Sequence, residues 1–196
     1  MPNKKSERRI SPLFFFYNFF IISRASSQRD PLGTSPAPTL YMSLILATGT
    51  NLGDKIKNLQ TAKEKLSQHF EFIAESRIYE STAVDYTDQP DFFNQVLEFQ
   101  STNLTPEEIL LTCQNIENEM GRIHLLEKGP RIIDIDVSFI DLQKVATKKI
   151  TVPHPRLFAR SFVINPLKEL PYFQILKNHF DFTKTPNNKA TPILFF

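Results

Sequence analysis

One nine-residue stretch, Gly129 to Val137, restricts the fold more than any other part of the sequence. From Ile133 onward it alternates apolar and acidic residues, which is the period-two pattern of a β-strand. Asp134 and Asp136 therefore share one face of the predicted strand, about 6.6 Å apart at a rise of ~3.3 Å per residue. The isoleucine and valine side chains share the other face, where β-branched residues suit a buried sheet surface.

Two like charges on one face of a partly buried strand are unfavourable unless a cation neutralises them. Mg²⁺ shared with phosphate oxygens is the usual partner of such a carboxylate pair. The alternative is an ordinary strand that exposes two surface aspartates to solvent. The Asp-x-Asp pattern alone favours this second interpretation, so the rest of the chain has to decide between them.

Length and composition exclude several classes of protein. A chain of 196 residues can bury one good core, which predicts a single folded domain of ordinary size. The formal net charge of +2 indicates no general basic surface, so no nucleic-acid partner is expected. Cys113 is the one cysteine, which rules out an internal disulfide and a cysteine-cluster metal site and fits a reducing compartment.

Residues 1–41 differ in composition from the rest of the chain. They hold six basic and two acidic residues, and their apolar run at 13–22 is shorter than the ~20 residues that a membrane-spanning helix needs. A secretory signal and a transit peptide are two interpretations of this segment. We favour a third, in which translation begins at Met42. We expect residues 1–41 to be poorly ordered, to lie outside the catalytic fold and to attach to no membrane.

The chain after Met42 predicts alternating strands and helices. Apolar residues spaced by three and four predict helices over 52–70 and 106–120. Thr105, followed by proline and then Glu108, forms a predicted capping box at the start of the second helix. Cys113 lies on the apolar stripe of that helix and is expected in the core rather than as a nucleophile. Apolar and aromatic runs predict strands at 43–48, 72–79, 92–99 and 134–140.

This order, βαββαβ, predicts an α+β fold with a ferredoxin-like core. Helices would pack on a mixed, mainly antiparallel sheet in a three-layer arrangement. The connection over 80–91 is too long for a tight hairpin and is expected to be either disordered or functional. After the last strand we expect a short extended stretch at 145–152, a helix near 159–170, and a polar tail over 172–196. The catalytic domain would then span residues 42–171.

Five short motifs follow one another along the chain. They are Gly49-Thr50-Asn51-Leu52-Gly53-Asp54, Asp88-Gln89-Pro90-Asp91-Phe92-Phe93-Asn94, Gly121-Arg122, Gly129-Pro130-Arg131-x-x-Asp134-x-Asp136 and Pro153-His154-Pro155-Arg156. In this order they closely resemble the 6-hydroxymethyl-7,8-dihydropterin pyrophosphokinase family, although any one of them alone would be a weak signal. The resemblance implies transfer of pyrophosphate from ATP to a pterin alcohol, with release of AMP, in folate biosynthesis.

The resemblance also implies roles for charged residues. Two Mg²⁺ ions would be held by Asp134 and Asp136 and would neutralise the phosphates, because pyrophosphoryl transfer depends mainly on positioning and charge. The implied catalytic residues are Arg122, Arg131, Asp134 and Asp136. The implied ATP-binding residues are Gln114, Glu117, Arg122, His124, Arg131, Ile135, His154 and Arg160. Arginine suits phosphate because its planar fork offers paired, permanently charged donors.

Several of these residues have simpler interpretations without the resemblance. Gln114 and Glu117 would be the polar face of a helix. Arg122 would complement the dipole at a helix C-terminus. His154 would stiffen a loop between two prolines through a hydrogen bond.

The pterin ring is flat and aromatic with an amide-like edge, so its pocket should offer stacking and a side-chain amide. The resemblance implies that five residues form this pocket: Ser81, Val84, Phe92, Asn94 and Phe162. Phe92 and Phe162 would stack on the ring, Asn94 would recognise its edge, and backbone groups of the 81–84 loop would complete the recognition. Without the resemblance, both phenylalanines would be assigned to the core.

The sequence departs from the family pattern mainly in one loop. The segment from Arg122 to Arg131, the expected lid over ATP, is slightly short. His124 stands where arginine is frequent, which predicts a weaker or pH-dependent phosphate contact. Lys128 stands where tryptophan is common, and the chain contains no tryptophan. Closure of the lid is therefore in question, whereas the metal site is not.

Two other functional classes compete with the enzyme. A ferredoxin-like binding module without catalysis would need no paired carboxylates with converging basic residues, and a secreted or membrane-associated protein rests on the apolar run at 13–22 alone. We expect instead a cytoplasmic, monomeric enzyme whose partners are the small molecules ATP and 6-hydroxymethyl-7,8-dihydropterin.

Overall fold

The computed structural model describes residues 42–84, 87–122, 129–184, 186 and 188–194. The expected disorder of residues 1–41 concerns a segment outside the described residues. The strands are β1 (Ser43–Thr50), β2 (Phe72–Glu75), β3 (Tyr79–Ser81), β4 (Phe92–Gln100), β5 (Asp134–Ile140), β6 (Val145–Ala146), β7 (Thr151–Val152) and β8 (Ala190–Pro192). The helices are α1 (Lys55–Leu66), α2 (Pro106–Glu119), α3 (Ser161–Leu167) and α4 (Phe173–His179), with a 3₁₀ turn at Leu157–Ala159.

Six strands form one sheet in the order β5-β1-β4-β3-β8, and β2 also pairs with β4. Each of these pairings is antiparallel. β6 and β7 form a separate hairpin. Because β1 lies between β4 and β5, the end of the first strand is brought beside both the Asp134–Asp136 segment and Asn94.

Helices cover both faces of the sheet. Buried residues of α1 and α2, including Leu59, Leu66 and Ile116, pack with Leu97 and the apolar face of β5. On the other face, α3 and α4 pack against strand residues such as Phe139. The helix α2 begins with the predicted capping box, in which Thr105 and Glu108 exchange hydrogen bonds. The ferredoxin-like α+β fold with helices on its sheet is confirmed.

Two details of the predicted elements differ from the structure. The single strand predicted at 72–79 is divided into β2 and β3, since Ser76 Oγ accepts a hydrogen bond from Val96 N at 3.0 Å and shifts the ladder. The apolar stripe predicted for the first helix is only partly buried, because Leu52 and Ile56 remain 39% and 43% exposed. Cys113 is fully buried in the core as predicted, and this burial raises the pKa of its thiol to about 12.

The C-terminal segment corrects the prediction of a polar tail after Pro171. This segment contains α4 and then β8, which pairs with β3 at the edge of the main sheet. Phe180 and Phe182 both contact Phe139, with ring centroids 5.1 and 6.3 Å away. None of the described helices is long and apolar enough to cross a membrane.

Candidate active site

Asp134 and Asp136 project from β5 into a cleft at one end of β1. The strand register places Asp134 opposite Gly49 and Asp136 opposite Ala47. Ile135, between the two aspartates, is buried in the core on the other face of the strand. The alternation in the sequence therefore predicted the two faces of this strand correctly.

Three arginines surround the two carboxylates. Arg122 Nη1 lies 2.6 Å from Asp134 Oδ1, and Arg131 Nε lies 3.5 Å from Asp134 Oδ2. Arg160 Nη1 lies 3.4 Å from Asp136 Oδ2. Loss of hydration, followed by repulsion from Asp134, raises the pKa of Asp136 despite the opposing arginines. The site thus brings two carboxylates and three guanidinium groups close together.

Glu117 connects the end of α2 to β5. Its carboxylate accepts a hydrogen bond from Ile135 N at 2.6 Å and forms an ion pair with Arg122. Burial raises the pKa of Glu117 to about 7, although Arg122 acts in the opposite direction. The interpretation from spacing, a residue on the polar face of the helix, is therefore wrong for Glu117, because this residue is buried and its Oε1 atom contacts both Arg122 and the backbone N–H of Ile135.

The same cleft is also lined by all five residues assigned to pterin. Asn94 Nδ2 donates to Tyr79 O at 3.3 Å and to Ser81 Oγ at 3.0 Å. A backbone carbonyl can only accept, so the amide nitrogen must face Tyr79 and the Oδ1 atom must face away from it. A Cβ atom at Gly49 would lie 3.3 Å from this Oδ1. Glycine at that position therefore leaves room for the Asn94 side chain.

The cleft contains about 710 Å³ of space, which includes its opening to solvent. Its walls combine aromatic rings with arginines. Arg131 Cζ lies 5.1 Å from the ring centroid of Phe92, and Arg160 Cζ lies 5.5 Å from that of Phe162. Of the residues predicted from the sequence, the cleft is lined by Ser81, Val84, Phe92, Asn94, Arg131, Asp134, Asp136, Arg160 and Phe162.

The remaining predicted residues lie beside the cleft or away from it. Arg122 and Glu117 reach it through Asp134 and β5, whereas Gln114 is exposed on α2 and lines no part of it. His154 also lies outside the lining, and its Nδ1 accepts from Arg156 N at 3.3 Å. Burial lowers the pKa of His154, while Asp136 opposes this shift.

His124, predicted to make a weaker phosphate contact, and Lys128, which stands where tryptophan is common, lie in the lid loop outside the described residues.

Two further polar residues belong to the site, although in the sequence they stand out only as parts of motifs. Asn51 is 3% exposed and bonds both to Arg131 and to the loop before Phe92, and Gln89 lines the cleft. A signal for Asn51 was present, since an amide directly after a buried strand has to find hydrogen-bond partners. Those partners, however, lie 38 to 80 positions away along the chain.

The donor chemistry of the cleft fits a hard divalent cation. The described residues contain no group of three or more histidine, cysteine, aspartate and glutamate side chains that could hold a metal ion. The pair formed by Asp134 and Asp136 would instead supply two carboxylates and leave the other coordination positions to water and phosphate. This is the usual environment of Mg²⁺, which seldom binds in an all-protein cage.

Comparisons with known proteins support a common family. A family model described as 7,8-dihydro-6-hydroxymethylpterin-pyrophosphokinase (HPPK) matches residues 45–172. The 2-amino-4-hydroxy-6-hydroxymethyldihydropteridine pyrophosphokinase of Bacillus subtilis is 39% identical over 127 residues, which cover 64% of this chain and 75% of that protein. The folic acid synthesis protein fol1 of Pneumocystis carinii is 40% identical over 132 residues, or 67% of this chain. The chain spans 17% of the length of that relative.

A solved structure shows the same fold. The wild-type HPPK-DHPS of Plasmodium falciparum, crystallised with pteroate, matches with a TM-score of 0.51 at 12% sequence identity. The match covers 65% of this chain and 38% of that one. At this identity the likeness concerns the fold alone, whereas the family model and the Bacillus subtilis relative also match in sequence. The chain belongs to the 7,8-dihydro-6-hydroxymethylpterin-pyrophosphokinase family.

Proposed function

We propose that this protein transfers pyrophosphate from ATP to the hydroxymethyl group of 6-hydroxymethyl-7,8-dihydropterin, releasing AMP, in folate biosynthesis. One observation carries the proposal. A single cleft is lined both by paired carboxylates with arginines, which form its charged part, and by two phenylalanines with a buried amide, which form its pterin part. Such a cleft suits a phosphate-rich molecule and a flat aromatic ring held side by side, which is the geometry that group transfer between them requires.

The pterin part of the cleft would orient the pterin, which accepts the pyrophosphate. Phe92 and Phe162 present aromatic faces to a planar ring, and the Oδ1 atom of Asn94 is left to accept a hydrogen bond from its N–H edge. The pterin hydroxyl oxygen then attacks the β-phosphorus and gives up its proton to solvent. The bond from that phosphorus to the oxygen shared with the α-phosphorus breaks, and this oxygen leaves with AMP. Holding both reactants in line supplies much of the catalysis, because this reaction needs little covalent help.

The charged part of the cleft would bind the triphosphate of ATP. Asp134 and Asp136 would hold Mg²⁺, which supplies charge neutralisation to the phosphates when bound. Arg131 and Arg160 are placed to exchange their carboxylate partners for phosphate oxygens, since guanidinium groups pair with both. Arg122 would remain beside the site because Glu117 retains it when Asp134 gains another partner.

Further parts of the proposal concern the setting of the enzyme. A Mg²⁺-dependent reaction that consumes ATP suits the cytoplasm, where ATP is available. We propose a monomer that acts on two small-molecule substrates without nucleic acid or a membrane.

The products of the reaction test the proposal. The protein is incubated with Mg²⁺, ATP and 6-hydroxymethyl-7,8-dihydropterin, and nucleotides are separated by chromatography. We expect AMP and the pterin diphosphate in equal amounts, formed only when both substrates and Mg²⁺ are present. Formation of ADP would indicate a simple phosphotransferase and contradict the proposal. If no nucleotide were consumed, the non-catalytic binding module would be favoured, and ATP binding that did not depend on Mg²⁺ would support it.

A further inference from the structure

Asn51 follows β1 and is one of the most buried polar residues of the cleft region, with 3% of its surface exposed. Its side-chain amide uses all of its hydrogen-bonding groups. Nδ2 donates to Gln89 Oε1 and to Pro90 O, each at 3.0 Å. Oδ1 accepts from Arg131 N at 2.8 Å, and Asn51 N donates to Arg131 O at 3.1 Å. A buried amide with every group satisfied holds its neighbours in one arrangement.

These bonds join two segments that contribute residues to the cleft. Gln89 and Pro90 belong to the loop that leads into β4, where Phe92 and Asn94 face the proposed pterin site. Arg131 precedes β5 and contacts both Asp134 and the Phe92 ring. The two segments are far apart in sequence, so a residue that bonds to both fixes the distance between their side chains.

A second contact holds the same loop but does not reach Arg131. Lys55 Nζ donates to Asp91 O at 3.1 Å and lies 3.8 Å above the ring centroid of Phe93. This contact ties the loop to α1, whereas the Asn51 contacts tie it to the segment that carries the arginine. Asn51 thus links the loop to the segment that carries Arg131, in addition to the contact of Arg131 with the Phe92 ring.

We propose that Asn51 is a positioning residue, which holds the loop containing Gln89 and Pro90 at a fixed distance from Arg131. The inference rests on the proposed function for the identity of the two ligands. The two sets of side-chain hydrogen bonds can be removed separately, since Oδ1 accepts from Arg131 N and Nδ2 donates to the loop. Asn51→Ala removes both sets. Asn51→Asp keeps an acceptor for Arg131 N and removes the donors to Gln89 and Pro90.

Binding measurements distinguish the two sets of hydrogen bonds. Calorimetry on the full chain uses two probes. One is 6-hydroxymethylpterin, and the other is Mg²⁺ with α,β-methylene-ATP, whose methylene bridge between the α- and β-phosphorus atoms cannot be cleaved. We expect Asn51→Ala to weaken both probes about tenfold, as the loss of one or two net hydrogen bonds predicts. We expect Asn51→Asp to weaken the pterin probe about tenfold but the nucleotide by less than about threefold.

Asn58→Ala is the matched control. Asn58 Nδ2 donates to Thr50 Oγ1 and Leu52 O, at 3.2 and 2.8 Å, so this variant loosens the same turn without removing a contact to either end of the cleft. We expect it to lower stability while leaving both affinities unchanged. Equal weakening of both probes by Asn51→Asp, or weakening by Asn58→Ala as large as that by Asn51→Ala, would overturn the inference and indicate a general structural role.

Hydrogen exchange provides a test that needs no ligand. The amide proton of Arg131 is expected to exchange faster in Asn51→Ala than in the wild type and at a nearly wild-type rate in Asn51→Asp. Unchanged exchange in both variants would overturn the positioning role, even if ligands bind. Failure of the wild-type protein to bind either probe, combined with the expected exchange pattern, would instead contradict the proposed function and leave the role of Asn51 in the fold supported.

Discussion

At the scale of single residues, two arginines of the cleft are each held by a carboxylate and by an aromatic ring. Arg131 and Arg160 contact carboxylates on one side and the rings of Phe92 and Phe162 on the other. An arginine held by both an acid and a ring keeps its guanidinium plane oriented while its electrostatic partner changes. Little reorganisation would then be needed for the proposed binding of a triphosphate.

Asn94 gives a residue-scale prediction about pterin recognition. Replacement by alanine removes the Oδ1 acceptor that faces the cleft and leaves a buried ring edge without its partner. We expect Asn94→Ala to weaken pterin binding by about 2 kcal/mol, or roughly thirtyfold, because an unpaired buried polar group costs about this much. Titration calorimetry with 6-hydroxymethylpterin measures the change.

The same variant should bind Mg²⁺ and α,β-methylene-ATP with wild-type affinity, since the amide of Asn94 donates to Tyr79 and Ser81 rather than to the charged groups. A wild-type affinity for the pterin would refute its assignment to ring recognition. A loss of affinity for both ligands would show that Asn94 supports the cleft as a whole.

At the scale of secondary structure, the contact between α2 and β5 depends on a buried acid. The folded pKa of Glu117, about 7, is above its ordinary value of 4.5. Between these pH values the folded protein holds a proton that the unfolded chain has released. The stability that this proton contributes is fully present below pH 4.5 and is lost as the pH rises through 7.

Glu117→Gln lacks this titration, which leads to a prediction. As the pH rises from 4.5 to 8, the wild type should lose up to about 3 kcal/mol of unfolding free energy relative to Glu117→Gln. Urea denaturation across this pH range measures the difference. Glu119→Gln, on the exposed side of the same helix and paired with Lys65, is the control that should not reproduce it. Parallel pH profiles for the wild type and Glu117→Gln would contradict the prediction.

Elements were predictable from the sequence where their signals are local. The faces of β5, the capping box at Thr105 and the burial of Cys113 follow from spacing within a few residues. The burial of Glu117 was not predictable in this way, because it depends on Ile135 from another element. Asn51 was missed for the same reason, since no local pattern shows which distant groups will satisfy a buried amide.

At the scale of the whole molecule, the C-terminal segment belongs to the folded domain. The family match ends at residue 172, yet α4 and Phe180 continue the packing on the second face of the sheet, and β8 extends the sheet at its edge. The sequence signal for β8 is weak because a three-residue edge strand has too little periodicity to detect. Its pairing with β3 also supports the strand that carries Ser81.

This packing predicts a stability effect far from the cleft. Phe180→Ala should lower the free energy of unfolding by about 2 kcal/mol, since its partly buried ring packs on Phe139. Lys177→Ala, at an exposed position of α4, should change it by less than about 0.5 kcal/mol. Denaturant unfolding of the two variants makes the comparison, and equal stabilities would indicate that the C-terminal segment does not pack on the domain.

The proposed function requires that the paired carboxylates of β5 take part in pyrophosphate transfer. The most direct test is the rate of AMP release from ATP with 6-hydroxymethyl-7,8-dihydropterin and Mg²⁺, compared between the wild type and Asp136→Ala. We predict a rate lower by at least about two orders of magnitude in Asp136→Ala, because transition-state charge stabilisation is lost. Asp181→Asn, whose side chain bonds only locally to Thr183 among the described residues, should keep the wild-type rate. Comparable AMP release from wild type and Asp136→Ala would contradict the account.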